Sequence, residues 1–469
     1  MRRCAWLWLG WLILVTAGCS VFQQGSPGLV VYQVWDKDSQ LPKPQLAVTD
    51  MNGSELRRIS GLSSADVDFV IAGLSSQVSQ RTLILTSGEK IYWVDAAKGI
   101  AQRLDVKSGV MLNAAQFRFS GGKRYALLGN ARMDLAYLVN LETGKVNDLN
   151  AIGQGILIFL NGQFSPSEDY LALFTDAGAW LVPTADPTQS RRLGKEKIFF
   201  AASFSSDGKQ IAYSQMSGSG KSEVWLEQVN GTGSEVIATG DAFMPLAFVP
   251  GQRQVVINRS GRLSLFSLDS RKEEELSSYS GQSRRLWFAP GGQALVFDQE
   301  TDQKTTWQWL DLKQRQAKTL NDLDGYAALY SNVEHRWLTF VNSLNIGVGH
   351  RFVSLDLETG KTQEILAFDK QTISFLPSDF SPDGKFSVIA AQIGNMTQLW
   401  LTRADGGKAR LLAEVGSAGG AFSPDGRWVA VSTLIRSDGK NQAKVVLMQT
   451  DGNETKLLGE GLKAIWVRP

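Results

Sequence analysis

Short apolar runs alternate with polar turns along nearly the whole chain. The phrase FSPDG occurs twice, and degenerate copies of it precede other apolar runs, at 119–123, 164–169, 204–208, 248–252, 288–292, 380–384 and 422–426. Proline presets φ and glycine accepts positive φ, so each phrase predicts a tight turn between two strands. A second turn pattern, such as LETG, follows another apolar run in each unit.

The apolar residue at the start of each phrase recurs every 40 to 50 positions. These anchor residues are Leu74, Phe119, Phe164, Phe204, Phe248, Phe288, Tyr330, Phe380 and Phe422. Each unit contains four short strand patterns and no helical period. This spacing, with four strands a unit, is typical of β-propeller blades.

The two ends of the repeat region complement each other. Residues 29–61 contain the second, third and fourth strands of a unit without a first strand, and KAIWVRP at 463–469 has the pattern of a first strand. The sequence therefore predicts an all-β propeller over residues 29–469, with about ten four-stranded units (range 8–10). We expect the N- and C-terminal strands to share one blade and close the ring.

The repeat also resembles a known family. FSPDG, an apolar strand and then a strand that ends in a D-x-x-G-G turn are similar to the TolB-like propeller repeat, a WD40-like type, across residues 29–469. This resemblance implies a propeller subtype and is much less specific for any one function.

The first residues are typical of a bacterial secretion signal. Arg2 and Arg3 precede an apolar stretch from Ala5 to Val15, which is too short to span a bilayer as a helix. Thr16-Ala17-Gly18-Cys19 then resembles a lipobox, although Thr16 stands where Leu is usual. We predict a signal peptide over residues 1–18 and a lipidated Cys19, with residues 19–28 as a polar tether.

Cysteine content and charge support a lipid anchor. Removal of residues 1–18 would leave Cys19 as the single Cys, with 46 basic against 46 acidic residues. A neutral body is not held on an anionic membrane by charge, whereas two or three acyl chains such as palmitate anchor stably. The expected partner is thus the membrane, through the lipid. By resemblance to sorting signals, Ser20 favours the outer membrane in a diderm organism.

Composition limits the other ligands. Lys plus Arg numbers 48 and Asp plus Glu 46, so no basic excess predicts nucleic-acid binding. Two His and two Cys exclude a Cys/His zinc site, and we expect no metal, cofactor or catalytic residue. His335 and His350 are predicted on the surface, GSGKS at 218–222 as a loop before a strand, and Asn321–Gly325 as a turn and not a calcium loop.

Five tryptophans lie in predicted third strands: Trp93, Trp180, Trp225, Trp309 and Trp400. They could line a ligand-binding channel, but their repeated placement favours packing between adjacent blades. We expect the packing role.

The leading functional hypothesis is a monomeric, non-enzymatic scaffold that binds an envelope protein or peptide. Glycan or small-molecule binding is the alternative, and a propeller enzyme of the lactonase or lyase type is less favoured because His is scarce. Variable loops on a rigid repeat scaffold often carry binding. The candidate loops join second to third strands at Gly129–Asp134, Met216–Lys221, Ser343–His350, Ile393–Met396 and Ile435–Asn441.

The lipid anchor gives a first testable prediction. Cys19→Ala removes the thiol that would carry the lipid, so the variant should incorporate no labelled fatty acid and remain soluble or retain its signal. Metabolic labelling with palmitate checks this, with Cys4→Ala as the matched control that keeps full labelling. Equal labelling of the Cys19→Ala variant would end the lipoprotein hypothesis.

Overall fold

A computed structural model describes most of the repeat region. The residues it describes are 28–35, 44–62, 69–71, 82–87, 90–106, 117–129, 135–152, 162–175, 178–194, 199–217, 220–240, 246–259, 261–278, 283, 285–300, 305–323, 326–330, 336–342, 350–368, 372–393, 396–415, 420–437 and 440–467. Within these residues the secondary structure is β-strand, apart from two 3-10 turns at Pro187–Gln189 and Asn321–Leu323.

The strands of blades 1 to 5 follow one another along the chain. They are β1 (Leu29–Trp35), β2 (Pro44–Thr49), β3 (Arg57–Arg58), β4 (Phe69–Ile71), β5 (Thr82–Ser87), β6 (Lys90–Asp95), β7 (Ile100–Arg103), β8 (Phe117–Phe119), β9 (Tyr125–Gly129), β10 (Ala136–Asn140), β11 (Val146–Asp148), β12 (Gln163–Phe164), β13 (Tyr170–Thr175), β14 (Gly178–Pro183), β15 (Arg191–Leu193), β16 (Phe199–Phe204), β17 (Gln210–Met216), β18 (Ser222–Gln228) and β19 (Ser234–Gly240).

Blades 6 to 10 continue in the same order. They contain β20 (Leu246–Phe248), β21 (Gln254–Arg259), β22 (Arg262–Ser267), β23 (Glu273–Ser278), β24 (Leu286–Phe288), β25 (Ala294–Glu300), β26 (Thr305–Asp311), β27 (Gln316–Thr319), β28 (Tyr326–Tyr330), β29 (Trp337–Asn342), β30 (Arg351–Asp356), β31 (Lys361–Ala367), β32 (Thr372–Phe380), β33 (Phe386–Ile393), β34 (Met396–Arg403), β35 (Arg410–Val415), β36 (Gly420–Phe422), β37 (Trp428–Ser437), β38 (Lys440–Gln449) and β39 (Thr455–Glu460), and then β40 (Leu462–Val467), which returns to blade 1.

The chain forms ten antiparallel four-stranded sheets, as the repeat count predicts. Eight of the nine anchor residues end the first strand of their sheets, from Phe119 in β8 to Phe422 in β36. The remaining anchor, Leu74, lies outside the described residues, and the first strand of blade 2 is β4 instead. Because a turn phrase directly follows seven of these anchors, from Phe119 to Phe288 and at Phe380 and Phe422, local turn chemistry sets where those first strands stop.

Blade 1 closes the ring. It has the strand order β3-β2-β1-β40, so the last strand of the chain supplies its first strand. Val30 pairs with Trp466 and Val31 pairs with Ile465. This confirms the predicted closure, and it leaves no open first-strand edge at the junction.

Each blade shares an apolar cluster with the next around the whole ring. The cluster at the junction joins Trp428 of blade 10, Trp466 of blade 1 and Tyr92 of blade 2. The other clusters join successive pairs from blades 2 and 3 through to blades 9 and 10. The core is therefore a continuous ring of interfaces between blades.

Hydrogen bonds also cross these interfaces. The Asp379 carboxylate of blade 9 accepts from the backbone N–H of Phe422 in blade 10, with 2.8 Å between Oδ2 and N. The Ser203 hydroxyl of blade 5 accepts from the Phe248 N–H of blade 6 at 3.0 Å. Both bonds fix the first strands of neighbouring blades against one another.

The third-strand tryptophans pack between blades, as expected. The indole N–H of Trp93 donates to the Leu141 carbonyl of the next blade, and Trp309 donates to Leu357 in the same way, both at 2.8 Å. Each carbonyl begins an LETG turn, and a Cβ at its glycine would lie about 3 Å from the indole ring. Trp180, Trp225 and Trp400 pack against the preceding blade.

Ring closure gives a second prediction. Deleting residues 463–469 removes Ile465, Trp466 and Val467, which are at most 5% exposed. At about 1.5–3 kcal/mol for each buried large apolar side chain, the free energy of unfolding should fall by several kcal/mol. Urea denaturation checks this against a control that lacks only Arg468 and Pro469, beyond β40. Equal stability of the two truncations would contradict the closure.

Candidate functional site

The antiparallel order of each blade places its connections on two opposite faces of the ring. The turns between first and second strands and between third and fourth strands lie on one face, which we call the turn face. The hairpins between second and third strands lie on the other, the hairpin face. The five candidate loops of the sequence therefore share the hairpin face.

The five candidate segments differ in how far the structure agrees with the predicted loops. Strands end at Gly129 and Met216 and resume at Ala136 and Ser222, so connections exist at the first two sites. Between β29 and β30 lie residues 343–350, of which only His350 is described. Asp134 and Ser343 lie outside the described residues.

Two predicted loops are wrong. Ile393 pairs directly with Met396, so only two residues connect β33 and β34. Ile435 pairs with Gln442 and Arg436 pairs with Asn441, so the segment Ile435–Asn441 continues β37 and β38. Its polar composition suggested a loop, but Asp438-Gly439 is a favoured two-residue hairpin connection that lets both strands continue.

Blade 10 consequently carries a projecting ribbon. β36 pairs only with Val429–Val431 of β37, and β39 pairs only with Lys444–Met448 of β38. Within the described residues, Ile435–Ser437 and Lys440–Gln442 pair with each other and with no further strand. We call these six residues the blade-10 ribbon; both of its outer edges leave backbone N–H and C=O groups without a strand partner.

Blade 9, the neighbour of blade 10, also has long strands. Its second strand has eight residues and that of blade 10 has ten, whereas the second strands of blades 1 to 8 have five to seven. Unlike blade 10, blade 9 extends as a full sheet, since Thr372 pairs with Ile393 and Thr397 pairs with Val415. Blades 9 and 10 therefore extend further on the hairpin face than the other blades do.

The blade-5 hairpin is a compact turn. The Lys221 carbonyl accepts from the backbone N–H of Ser217 at 2.7 Å and from its hydroxyl at 2.9 Å. β18 follows directly, so GSGKS precedes a strand and not a phosphate-binding helix, as predicted. Beneath it, the hydroxyls of Ser214 and Ser222 are buried without a hydrogen-bond partner among the described residues.

The other candidate residues have structural roles. His350 is only 3% exposed, so its predicted surface position is wrong, and its backbone carbonyl accepts from the Phe368 N–H at 2.8 Å. His335 lies outside the described residues. Asn321–Leu323 form a 3-10 turn in which Asp322 accepts from the Thr362 hydroxyl at 2.8 Å, and Asp324 is not among the described residues.

No group of three or more His, Cys, Asp and Glu side chains that could hold a metal occurs within the described ranges. In the same part of the chain, no helix is long and apolar enough to cross a membrane.

A groove of about 550 Å³ lies between the outer strands of blades 2 and 3. Its walls carry two cations, Arg103 and Lys145, and two carboxylates, Asp105 and Asp148. Tyr137, which is 2% exposed, also lines the groove. A groove lined by side chains of both charges suits a small polar ligand.

Hydrogen bonds within the FSPDG turns hold these turns in one conformation, and we call the bonded turns the turn locks. In blade 10, the Ser423 hydroxyl donates to Asp425 at 2.6 Å and accepts from the Trp428 N–H at 2.9 Å. Asp425 also accepts from the Arg427 N–H at 3.1 Å. Blades 5 and 9 repeat this geometry through Ser205 and Ser381. Stereotyped, internally bonded turns contrast with the uneven hairpin face.

Comparison with known proteins supports the fold. No protein-family model and no curated protein matches the chain, so membership of the TolB-like repeat family stays a prediction. A structure of a eukaryotic initiation factor superposes with a TM-score of 0.52 at 12% identity, covering 83% of this chain and 100% of that chain. This likeness concerns the propeller fold alone.

Two further solved structures are more distant. An oligogalacturonate lyase from Vibrio parahaemolyticus has a TM-score of 0.43 at 11% identity, covering 87% of this chain and 94% of its own. The Dos1 propeller has a TM-score of 0.46 at 12% identity, covering 67% of this chain and 87% of its own.

The turn locks predict a pH dependence of stability. Burial raises the pKa of the Asp425 carboxyl, but hydrogen bonds from Ser423 and Arg427 outweigh it and leave the pKa below its ordinary 3.8. The pKa of Asp383 is lowered against the same burial effect by Ser381 and Lys385. A carboxyl with a lowered folded-state pKa stabilises the protein above its unfolded pKa, and this stabilisation is lost as the pH falls through the folded pKa.

We therefore expect the free energy of unfolding to decrease between about pH 5 and about pH 2. The double variant Asp383→Asn/Asp425→Asn should be less stable at neutral pH and show a shallower decrease in this range. Urea denaturation at several pH values measures both. An identical pH slope in the variant and the parent would show that these carboxyls do not contribute.

Proposed function

We propose that this protein is a lipid-anchored propeller of the bacterial cell envelope that binds a protein or peptide on its hairpin face without catalysis. The body is monomeric, and Cys19 carries the membrane anchor. The observation that carries the proposal is the blade-10 ribbon, whose unpaired strand edges project from the face opposite the anchored end of the propeller.

The start of the propeller sets this orientation. Gly28 packs between the ends of blades 10 and 1 on the turn face, where a Cβ would lie 2.7 Å from the Val467 carbonyl oxygen and 3.1 Å from the Pro424 ring. Residues 20–28 are nine residues, which reach about 30 Å at most. A lipid on Cys19 therefore holds the turn face toward the bilayer and directs the hairpin face away from it.

The ribbon suits recognition of an extended peptide. An exposed strand edge binds such a peptide by adding it as a further strand, with main-chain hydrogen bonds giving affinity. The tall blade 9 stands beside the ribbon and provides a wall for the side chains of the bound segment.

Binding of a glycan or small molecule is a second candidate, supported by the groove between blades 2 and 3. Its mixed charges, Arg103 and Lys145 with Asp105 and Asp148, suit a polar ligand. This groove lies away from blade 10. Ligand binding there would survive removal of the ribbon, so one variant separates the two candidates.

Site-specific photo-crosslinking in intact cells tests the proposal. A benzophenone amino acid at Arg436 should give a discrete crosslinked envelope protein, because this position lies in the ribbon. The same probe at the exposed Lys209, on the turn face, is the control and should not give that product.

A shortened variant completes this test. Joining Leu434 to Ala443 through Asn-Gly removes the ribbon, and stability should change little because, among the described residues, those of the ribbon pair only with each other. The crosslinked partner, identified first at Arg436, should then no longer copurify. Retained copurification, or crosslinking from Lys209 alone, would show that the hairpin face is the wrong face.

A further inference from the structure

The exposed large apolar side chains are unevenly distributed around the ring. Five occur among the described residues: Leu56 at 52% exposed, Ile100 at 39%, Val236 at 42%, Leu411 at 40% and Leu457 at 59%. Four of the five lie on the consecutive blades 9, 10, 1 and 2, and only Val236 lies elsewhere, on blade 5.

These four side chains also share one edge of the ring. Leu411 is the second residue of β35, Leu457 is the third of β39 and Ile100 is the first of β7. Leu56 directly precedes β3. Because fourth strands begin on the turn face, all four lie at the corner between the turn face and the outer rim. We call Leu411, Leu457, Leu56 and Ile100 the corner strip.

Contacts between blades make this strip continuous. The blade-1 turn at Gly53 lies against Leu458 of blade 10, where a Cβ would be 3.4 Å from the Leu458 carbonyl oxygen. Blades 1 and 2 are joined through Ser60, whose N–H donates to Gly99 at 3.0 Å and whose carbonyl accepts from Ala101 at 2.7 Å. The outer rims of blades 10, 1 and 2 therefore form one surface.

The strip is centred on the place where the chain enters the propeller. Gly28 lies on the turn face between blades 10 and 1, the middle two of the four blades. With nine residues between Cys19 and Leu29, a lipid at Cys19 keeps this sector of the turn face within about 30 Å of the bilayer. The corner strip is thus on the face and the side nearest the anchor.

Long cationic side chains neighbour three of the four apolar residues of the corner strip, and Glu55 also directly precedes Leu56. Arg410 precedes Leu411, Lys456 precedes Leu457 and Arg57 follows Leu56. Long cationic side chains beside apolar ones are typical of surfaces that lie at a lipid headgroup boundary. On blade 6, directly opposite blade 1, the fourth strand instead begins with three glutamates, Glu273, Glu274 and Glu275, each of which is paired with an arginine.

We propose that the corner strip rests in the headgroup region of the anchoring bilayer, so that the propeller is tilted with blades 9, 10, 1 and 2 on the lipid. This rests on the proposed lipid anchor at Cys19. The acyl chains hold the protein at the membrane, and the strip fixes its tilt. The tilt raises blade 6 away from the bilayer and holds the hairpin face outward.

Depth-dependent fluorescence quenching tests the contact. After processing, Cys19 is acylated and the mature chain has no other Cys, so Leu457→Cys and Leu56→Cys each provide a single free thiol for a bimane label. The lipidated full-length proteins are placed in phosphatidylethanolamine–phosphatidylglycerol vesicles that contain brominated acyl chains. Val236→Cys is the matched control, an exposed apolar position on the far side of the ring.

We expect bromine to quench the labels at 457 and 56 several-fold more than the label at 236. Equal quenching at all three positions, or none at 457 and 56, would overturn the proposal. Absence of quenching is also the result if a protein, and not lipid, covers the strip.

Flotation of the same vesicles separates this inference from the anchor. Protein that fails to float, or that lacks labelled fatty acid, contradicts the lipid anchor itself. Protein that floats while its label at 457 stays unquenched leaves the anchor in place and contradicts only the corner-strip contact. A variant with Leu56→Asp, Leu411→Asp and Leu457→Asp should float but lose the quenching of a bimane label at Ile100→Cys.

Discussion

The pairing of β1 with β40 is the constraint on which the rest of the molecule depends. Each blade packs its apolar side chains on the next, so the stabilisation is complete only when the tenth blade meets the first. The junction requires the first strand of the repeat region to be hydrogen-bonded to the last, through pairs such as Val30 with Trp466. Contacts between neighbours alone would leave an open arc with two unpaired apolar faces.

Closure of this kind also decides where the chain can be tethered. Because β40 ends and β1 begins at the same edge of blade 1, both termini of the propeller emerge on the turn face, beside Pro424. With the proposed anchor at Cys19, one face of the ring would be the membrane side and the other the binding side. In the proposed orientation, the turn face with its internally bonded FSPDG turns lies toward the lipid, and the hairpin face remains available for a partner.

In a repeat protein, features that differ from one repeat to the next are the candidates for function. The FSPDG locks recur with the same hydrogen bonds in blades 5, 9 and 10, which marks them as structural. The blade-10 ribbon occurs once, and exposed apolar corners occur on adjacent blades while blade 6 carries glutamates there. Both departures lie in the sector around the junction, since the proposed binding edge is on blade 10 and the proposed membrane contact is on blades 9, 10, 1 and 2. The outer groove between blades 2 and 3 borders this sector.

The sequence by itself determined the blade architecture, since turn chemistry and strand alternation are encoded within a few consecutive residues. Phe422 and Pro424 through Gly426 predicted the end of a strand and a turn, and KAIWVRP predicted the closing strand. The candidate site was less predictable. The polar segment at 435–441 was interpreted as a loop, although Asp438-Gly439 is a hairpin signal, because only pairing across the turn shows that both strands continue. The burial of His350 was decided by the tertiary structure, since the sequence around it gives no sign of it. The corner strip could not be found from the sequence at all: Leu56 and Leu457 are about 400 positions apart, and only closure of the ring places them on neighbouring blades at one edge.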